Sequence, residues 1–221
     1  PQFNLHNFVA EYFKDYISDQ QQDYHSNPEN TVEQHINELW NVLTRTAYKN
    51  SGSLIALPYP YIVPGGRFGA QFYWDTYFTM QGLAAADRWD LIEGMVKNYA
   101  FMIRKIGYIP TANRTYFLSR SQPPFFAHMI KLLAQNNGKL VLVRYLPYLV
   151  AEHRFWMKGS KTLNANQTAN RRTVLLPDGS ILNRYYDNKR TPRPESYKED
   201  VETGRDAYNR VASKVYLDLR A

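Results

Sequence analysis

The sequence predicts a mainly α protein with one small β-hairpin, its helices in layers and its function on the loops between them. Apolar residues recur at helical spacing along most of the 221 residues. Gly and Pro cluster between these stripes, marking helix–loop–helix units. Near residue 173 the period changes from helical to strand-like.

Taken in order, Phe8, Val9, Tyr12, Phe13, Tyr16 and Ile17 form a first stripe, followed by a polar gap over 20–30. Thr31, with Gln34 three residues on, reads as a capping box opening a second helix, whose stripe is Val32, Ile36, Leu39, Trp40 and Leu43. Residues 51–66, punctuated by Pro58, Pro60, Pro64, Gly65 and Gly66, read as loop. Trp74–Ala86 is a third helix, and Trp89–Ile106 a fourth, stopped by Gly107. Pro123-Pro124 is expected in the first turn of a fifth, which ends at Asn136-Asn137-Gly138. Leu140–Lys158 contains Pro147, so two segments or a kink are expected. Thr173–Leu176 and Ile181–Tyr185, joined by Pro177-Asp178-Gly179-Ser180, make the hairpin. After a stiff loop at 191–195, a last helix is expected from Asp206 to Arg220, with Tyr208, Val211, Val215, Tyr216 and Leu219 as its apolar residues.

Composition narrows the function. No apolar run approaches the roughly 18 residues that span a bilayer, so no membrane partner is expected. The absence of Cys excludes disulfides and thiolate chemistry. The net charge is +7, and residues 94–177 carry thirteen bases against the single acid Glu152. Those bases are scattered, with no run longer than two, so no nucleic-acid partner is expected. The five histidines show no metal spacing, and neither metal nor cofactor is expected. Aromatics reach 15%, a supply suited to stacking on flat ligands or to half-wet cores.

Three loops concentrate guanidinium, carboxylate, amide and aromatic groups: 64–78, 107–124, and 184–187 continuing through 191–197. Such mixtures suit a sugar, whose hydroxyls need donors and acceptors while its C–H face packs on a ring. Each group also has a plainer reading. Trp74 could be a core aromatic, Asp75 a first-turn acid favouring the helix dipole, and Arg193 with Glu195 a surface ion pair.

Pro64-Gly65-Gly66-Arg67-Phe68 with Tyr73-Trp74-Asp75-Thr76-Tyr77-Phe78 closely resembles the first hallmark motif of the trehalases. Gly107-Tyr108-Ile109-Pro110 through Asn113-Arg114, Ser119-Arg120-Ser121-Gln122-Pro123-Pro124-Phe125-Phe126 and Thr191-Pro192-Arg193-Pro194-Glu195-Ser196 resemble further family segments, in order. The resemblance covers essentially the whole chain. It implies inverting hydrolysis of α,α-trehalose to two glucoses on an (α/α)6 toroid, of which residues 1–221 would be part of the catalytic domain. It implies a sugar-holding role for Arg67, Trp74, Asp75, Arg120, Ser121, Gln122, Arg193 and Glu195. Phe68, Thr111, Asn113 and Pro194, in the same motifs, complete the expected substrate-binding set. Thr111 and Ala112 depart from the usual Asn and Gly, and Ala70 from the usual Glu; these changes bear on one glucosyl subsite. The family's catalytic acid and base fall beyond the matched segments, so no catalytic residue is expected among these 221. A monomer is expected, in the periplasm, with the cytoplasm as the alternative. A catalytically silent sugar-binding chain is the competing functional reading.

Overall fold

The computed structural model describes Asn4, residues 24–207 and residues 209–220. The stripe at 8–17 and Tyr208 therefore lie outside the described residues. Helix α1, Val32–Leu43, opens with the expected capping box: Thr31 Oγ1 accepts from Gln34 N, and Gln34 Oε1 from Thr31 N. Strand β1, Thr44–Arg45, then pairs antiparallel with β2, Tyr61–Ile62, inside a stretch that composition marked only as loop. The core is a set of packed neighbours: α2, Tyr73–Ala85; α3, Trp89–Ile106; α4, Phe126–Asn137; and α5, Leu140–Trp156. Helix α3 lies at the centre, with Ile92, Met95, Val96, Tyr99 and Met102 fully buried, and it ends at Gly107 with φ +94°. The hairpin forms as Thr173–Leu175 (β4) against Ile181–Asn183 (β5), and a third strand, Ala169–Asn170 (β3), extends it. Helices α6, Tyr197–Asp206, and α7, Ala212–Arg220, close the described chain.

Three expectations are corrected. The Pro123-Pro124 pair lies before α4, whose N-cap is Phe125. A proline drives the residue ahead of it out of the helical region, so Pro123 cannot enter a first turn. Helix α5 runs through Pro147 as one helix, which overturns the two-segment alternative. Pro147 and Val143, whose carbonyl loses its donor, both lie on the exposed face, where water can serve that carbonyl. The expected 206–220 helix is shorter and is preceded by a second one. Asn209, at φ +62°, sits in the left-handed region that breaks the helical path. Part of the apolar face assigned to 206–220 is therefore covered: Val215 is buried, and the Tyr216 ring lies so close to Gly204 of α6 that a Cβ there would meet it at 2.7 Å.

Candidate functional site

The loop before α2 turns tightly because Gly65 and Gly66 take φ of +104° and +55°, conformations that favour glycine. Phe68 N closes the turn on Gly65 O, at 3.1 Å, and leaves Arg67 and Phe68 exposed with the guanidinium 5.1 Å from the ring centre. This loop is then bonded to the one between α3 and α4. Tyr73 N donates to Thr111 O at 3.0 Å, Thr111 N to Arg120 O at 3.2 Å, and Trp74 N to Gln122 Oε1 at 3.1 Å.

Behind the loops lies a relay of buried amides. Gln71 N donates to Asn113 Oδ1 at 2.8 Å, Asn113 Nδ2 to Ile55 O at 2.9 Å, and Asn98 Nδ2 to Gln71 Oε1 at 3.0 Å. Asn113 is 0% exposed and its amide is occupied on both sides. Its side-chain amide joins its own loop to the chain at Gln71 and Ile55, and it is not among the residues that line the cleft. Ala70 and Ala112 pack with Phe117 in a small apolar cluster, so these two departures face protein interior. Thr111 alone among the three reaches the cleft.

That cleft, about 270 Å³, is lined by Thr111, Arg120 and Ser121 from the second loop and Arg193 from the third. Trp156, Arg172, Tyr185, Tyr186, Leu219 and Arg220 complete it. Arg120 Nη2 meets Glu195 Oε1 at 2.5 Å, joining the second and third loops. Arg193 does not pair with Glu195, as its sequence position suggested. Its fork grips Asp200 of α6, with Nη2–Oδ1 at 2.7 Å and Nε–Oδ2 at 3.0 Å, and its backbone N donates to the same carboxylate. Those bonds raise the Arg193 pKa. Burial pushes the Asp200 carboxyl up, but the Arg193 hydrogen bonds outweigh it and leave its pKa below the usual value.

Beneath Arg120 lies Asp187, also buried, accepting from Ser119 Oγ at 2.7 Å, Lys189 N at 2.9 Å and Arg220 Nη1 at 2.8 Å. Desolvation raises its pKa, and these donors bring it below the usual carboxylate range. Arg220 also donates to Thr191 O and Pro192 O, which fixes the loop carrying Arg193.

The remaining predicted residues are not part of the cleft lining. Trp74 is 41% exposed, against the core reading, and packs edge-on against Phe78. Asp75 is half-buried in the first turn of α2. Pro194 starts an exposed 3-10 turn, and Arg67 and Phe68 are exposed on their glycine turn. Asp187, Tyr185 and Tyr186 lay inside the third loop but were not singled out. Arg172, Trp156, Asp200 and Arg220 carried no local signal, because only folding brings them to the loops.

A family model described as trehalase matches residues 1–221. The periplasmic trehalase of Citrobacter koseri is 50% identical over 194 residues, 86% of this chain and 34% of its own. That of Salmonella choleraesuis is 51% identical over 193 residues, with the same coverage. Among solved structures, the neutral trehalase of Saccharomyces cerevisiae matches 88% of this chain and 37% of its own, with a TM-score of 0.54 at 26% identity. The chain spans about a third of the length of the curated relatives it matches.

Proposed function

The chain belongs to the trehalase family, and from that membership we propose that it forms part of the catalytic domain of an inverting glycoside hydrolase splitting α,α-trehalose into two glucoses. Its helices are part of an (α/α)6 toroid, and the described residues add two small antiparallel sheets. The observation that carries the reading is the joining of three separate loops beside one cleft. Tyr73 N–Thr111 O and Trp74 N–Gln122 Oε1 join the first to the second, and Arg120–Glu195 joins the second to the third, with Arg193–Asp200 anchoring the third to α6. Guanidinium groups held by carboxylates keep spare N–H edges in fixed directions, a way to grip a ring of hydroxyls.

Arg120, Ser121, Thr111 and Arg193 hold the sugar from the cleft, with Glu195 accepting from a hydroxyl while it orients Arg120. Arg67, Phe68, Trp74, Asp75, Gln122 and Pro194 hold it from the surrounding loops. Inversion needs a protonated carboxyl at the glycosidic oxygen and a second carboxylate activating water, roughly 6.5–9.5 Å apart. Asp187 and Asp200 stay ionised beside their arginines and cannot serve as that acid. Glu152 has a raised pKa, but it is buried in α5 against Tyr73, away from the cleft lining. These residues therefore bind and orient; proton transfer is assigned elsewhere in the catalytic domain. The relatives named periplasmic support a periplasmic setting over a cytoplasmic one. We also propose a monomer acting on trehalose alone, without nucleic acid.

The test is incubation of the complete protein with trehalose, following glucose and its anomers by NMR. One β-glucose released per cleavage is expected. Asp75→Asn should raise KM and lower kcat together. Trehalose binding without glucose release would replace this reading with a silent sugar-binding chain.

A further inference from the structure

Four guanidinium groups line the cleft. Three have carboxylates: Arg120 has Glu195, Arg193 has Asp200 and Arg220 has Asp187. The fourth, Arg172, has no ion pair, and its side chain makes no hydrogen bond among the described residues. It is nevertheless only 8% exposed.

What holds Arg172 is a stack of planes. Its guanidinium carbon lies 3.8 Å from the Phe155 ring centre, with Tyr186 at 5.8 Å. Phe155 in turn stacks on Tyr108 at 4.1 Å, nearly parallel at 9°. Its backbone is pinned as well, since Arg172 O accepts from Arg184 N at 2.9 Å and from Asn183 Nδ2 at 3.2 Å. A cation over a ring is attracted to its face, but that face supplies no acceptor for the in-plane N–H groups. No Arg172 nitrogen is among the fully buried polar atoms left without a partner, so its N–H edge opens into the cleft, free to donate to a bound molecule.

We propose that Arg172 is a further substrate-binding residue of this cleft, its N–H edge donating to oxygen atoms of the bound sugar while Phe155 fixes its plane. The inference rests on the trehalase reading above. A neutral disaccharide suits the geometry, because adjacent hydroxyl oxygens can take two parallel donors from one fork. Lysine would not replace it: an ammonium keeps the charge but lacks the planar fork that stacks and donates in pairs.

The experiment uses the complete protein, with trehalose as probe, measuring steady-state kinetics and calorimetric binding for wild type, Arg172→Gln and Arg172→Lys. A hydrogen bond from a charged group is worth roughly 1.5–3 kcal/mol, so KM and Kd should rise about 10- to 100-fold in Arg172→Gln, with kcat changing less. Arg172→Lys should recover little of it. Phe155→Leu, which leaves the cation but removes its ring, should give a smaller rise and serves if Arg172→Gln does not fold. Folded Arg172→Gln with wild-type KM and Kd would overturn the inference, as would full rescue by lysine. Wild-type protein that neither binds nor cleaves trehalose would overturn the trehalase reading and this inference with it.

Discussion

Glu152 offers a sharp test of how the helices are held together. Its carboxyl is 5% exposed in α5 and accepts from the Tyr73 hydroxyl, whose oxygen accepts from Phe126 N at 3.0 Å. One phenol thus clamps the start of α2, the start of α4 and the C-terminal part of α5. Burial pushes the Glu152 pKa up from 4.5 to about 7, with the Tyr73 hydrogen bond pulling the other way. Between those two values the unfolded chain has lost the proton while the native state keeps it. Stability conferred by this group therefore falls as pH rises from 4.5 to about 7, and is level above that. At 1.36 kcal/mol per pKa unit the full cost is roughly 3 kcal/mol. Glu152→Gln keeps an acceptor for Tyr73 and removes the ionisation. In urea unfolding of the complete protein at pH 5 to 8, the variant should match wild type within about 1 kcal/mol at pH 5. It should exceed wild type by roughly 3 kcal/mol at pH 8. Parallel pH dependences for the two proteins would refute the assignment.

Two further outcomes follow from close packing and buried charge. Gly204→Ala places a Cβ 2.7 Å from the Tyr216 ring and should lower stability by about 1–3 kcal/mol, although Ala is the better helix former; thermal melting against a Gly204→Ala, Tyr216→Ala pair, which should recover part of the loss, checks it. Asp187→Asn leaves Arg220 buried with no carboxylate and should cost about 3–5 kcal/mol while raising KM for trehalose through the loosened Arg220 and the 191–193 loop it holds. Because the Asp187 pKa is lowered on folding, its contribution is present above the unfolded value of 3.8 and disappears as pH falls below it, so wild type but not the variant should lose it in acid unfolding.

Much of the chain was legible locally. The capping box at Thr31–Gln34, the end of α3 at Gly107, the turn at 177–180 and the glycine turn before Arg67 all depend on hydrogen bonds or dihedrals within a few residues. The sequence could also show which loops concentrate guanidinium, carboxylate and aromatic groups, because their motifs are contiguous. It could not show which charge meets which. Arg193 stands two residues from Glu195 yet pairs with Asp200, while Arg120 reaches across 75 positions to Glu195. Asn113 sits in a motif but is spent inside the protein, and Arg172 sits outside every motif but lines the cleft. Local patterns decide helices because helical hydrogen bonds span four residues. Partners of a buried charge or amide are decided by whichever groups the packed helices leave within about 3 Å, whatever their separation along the chain.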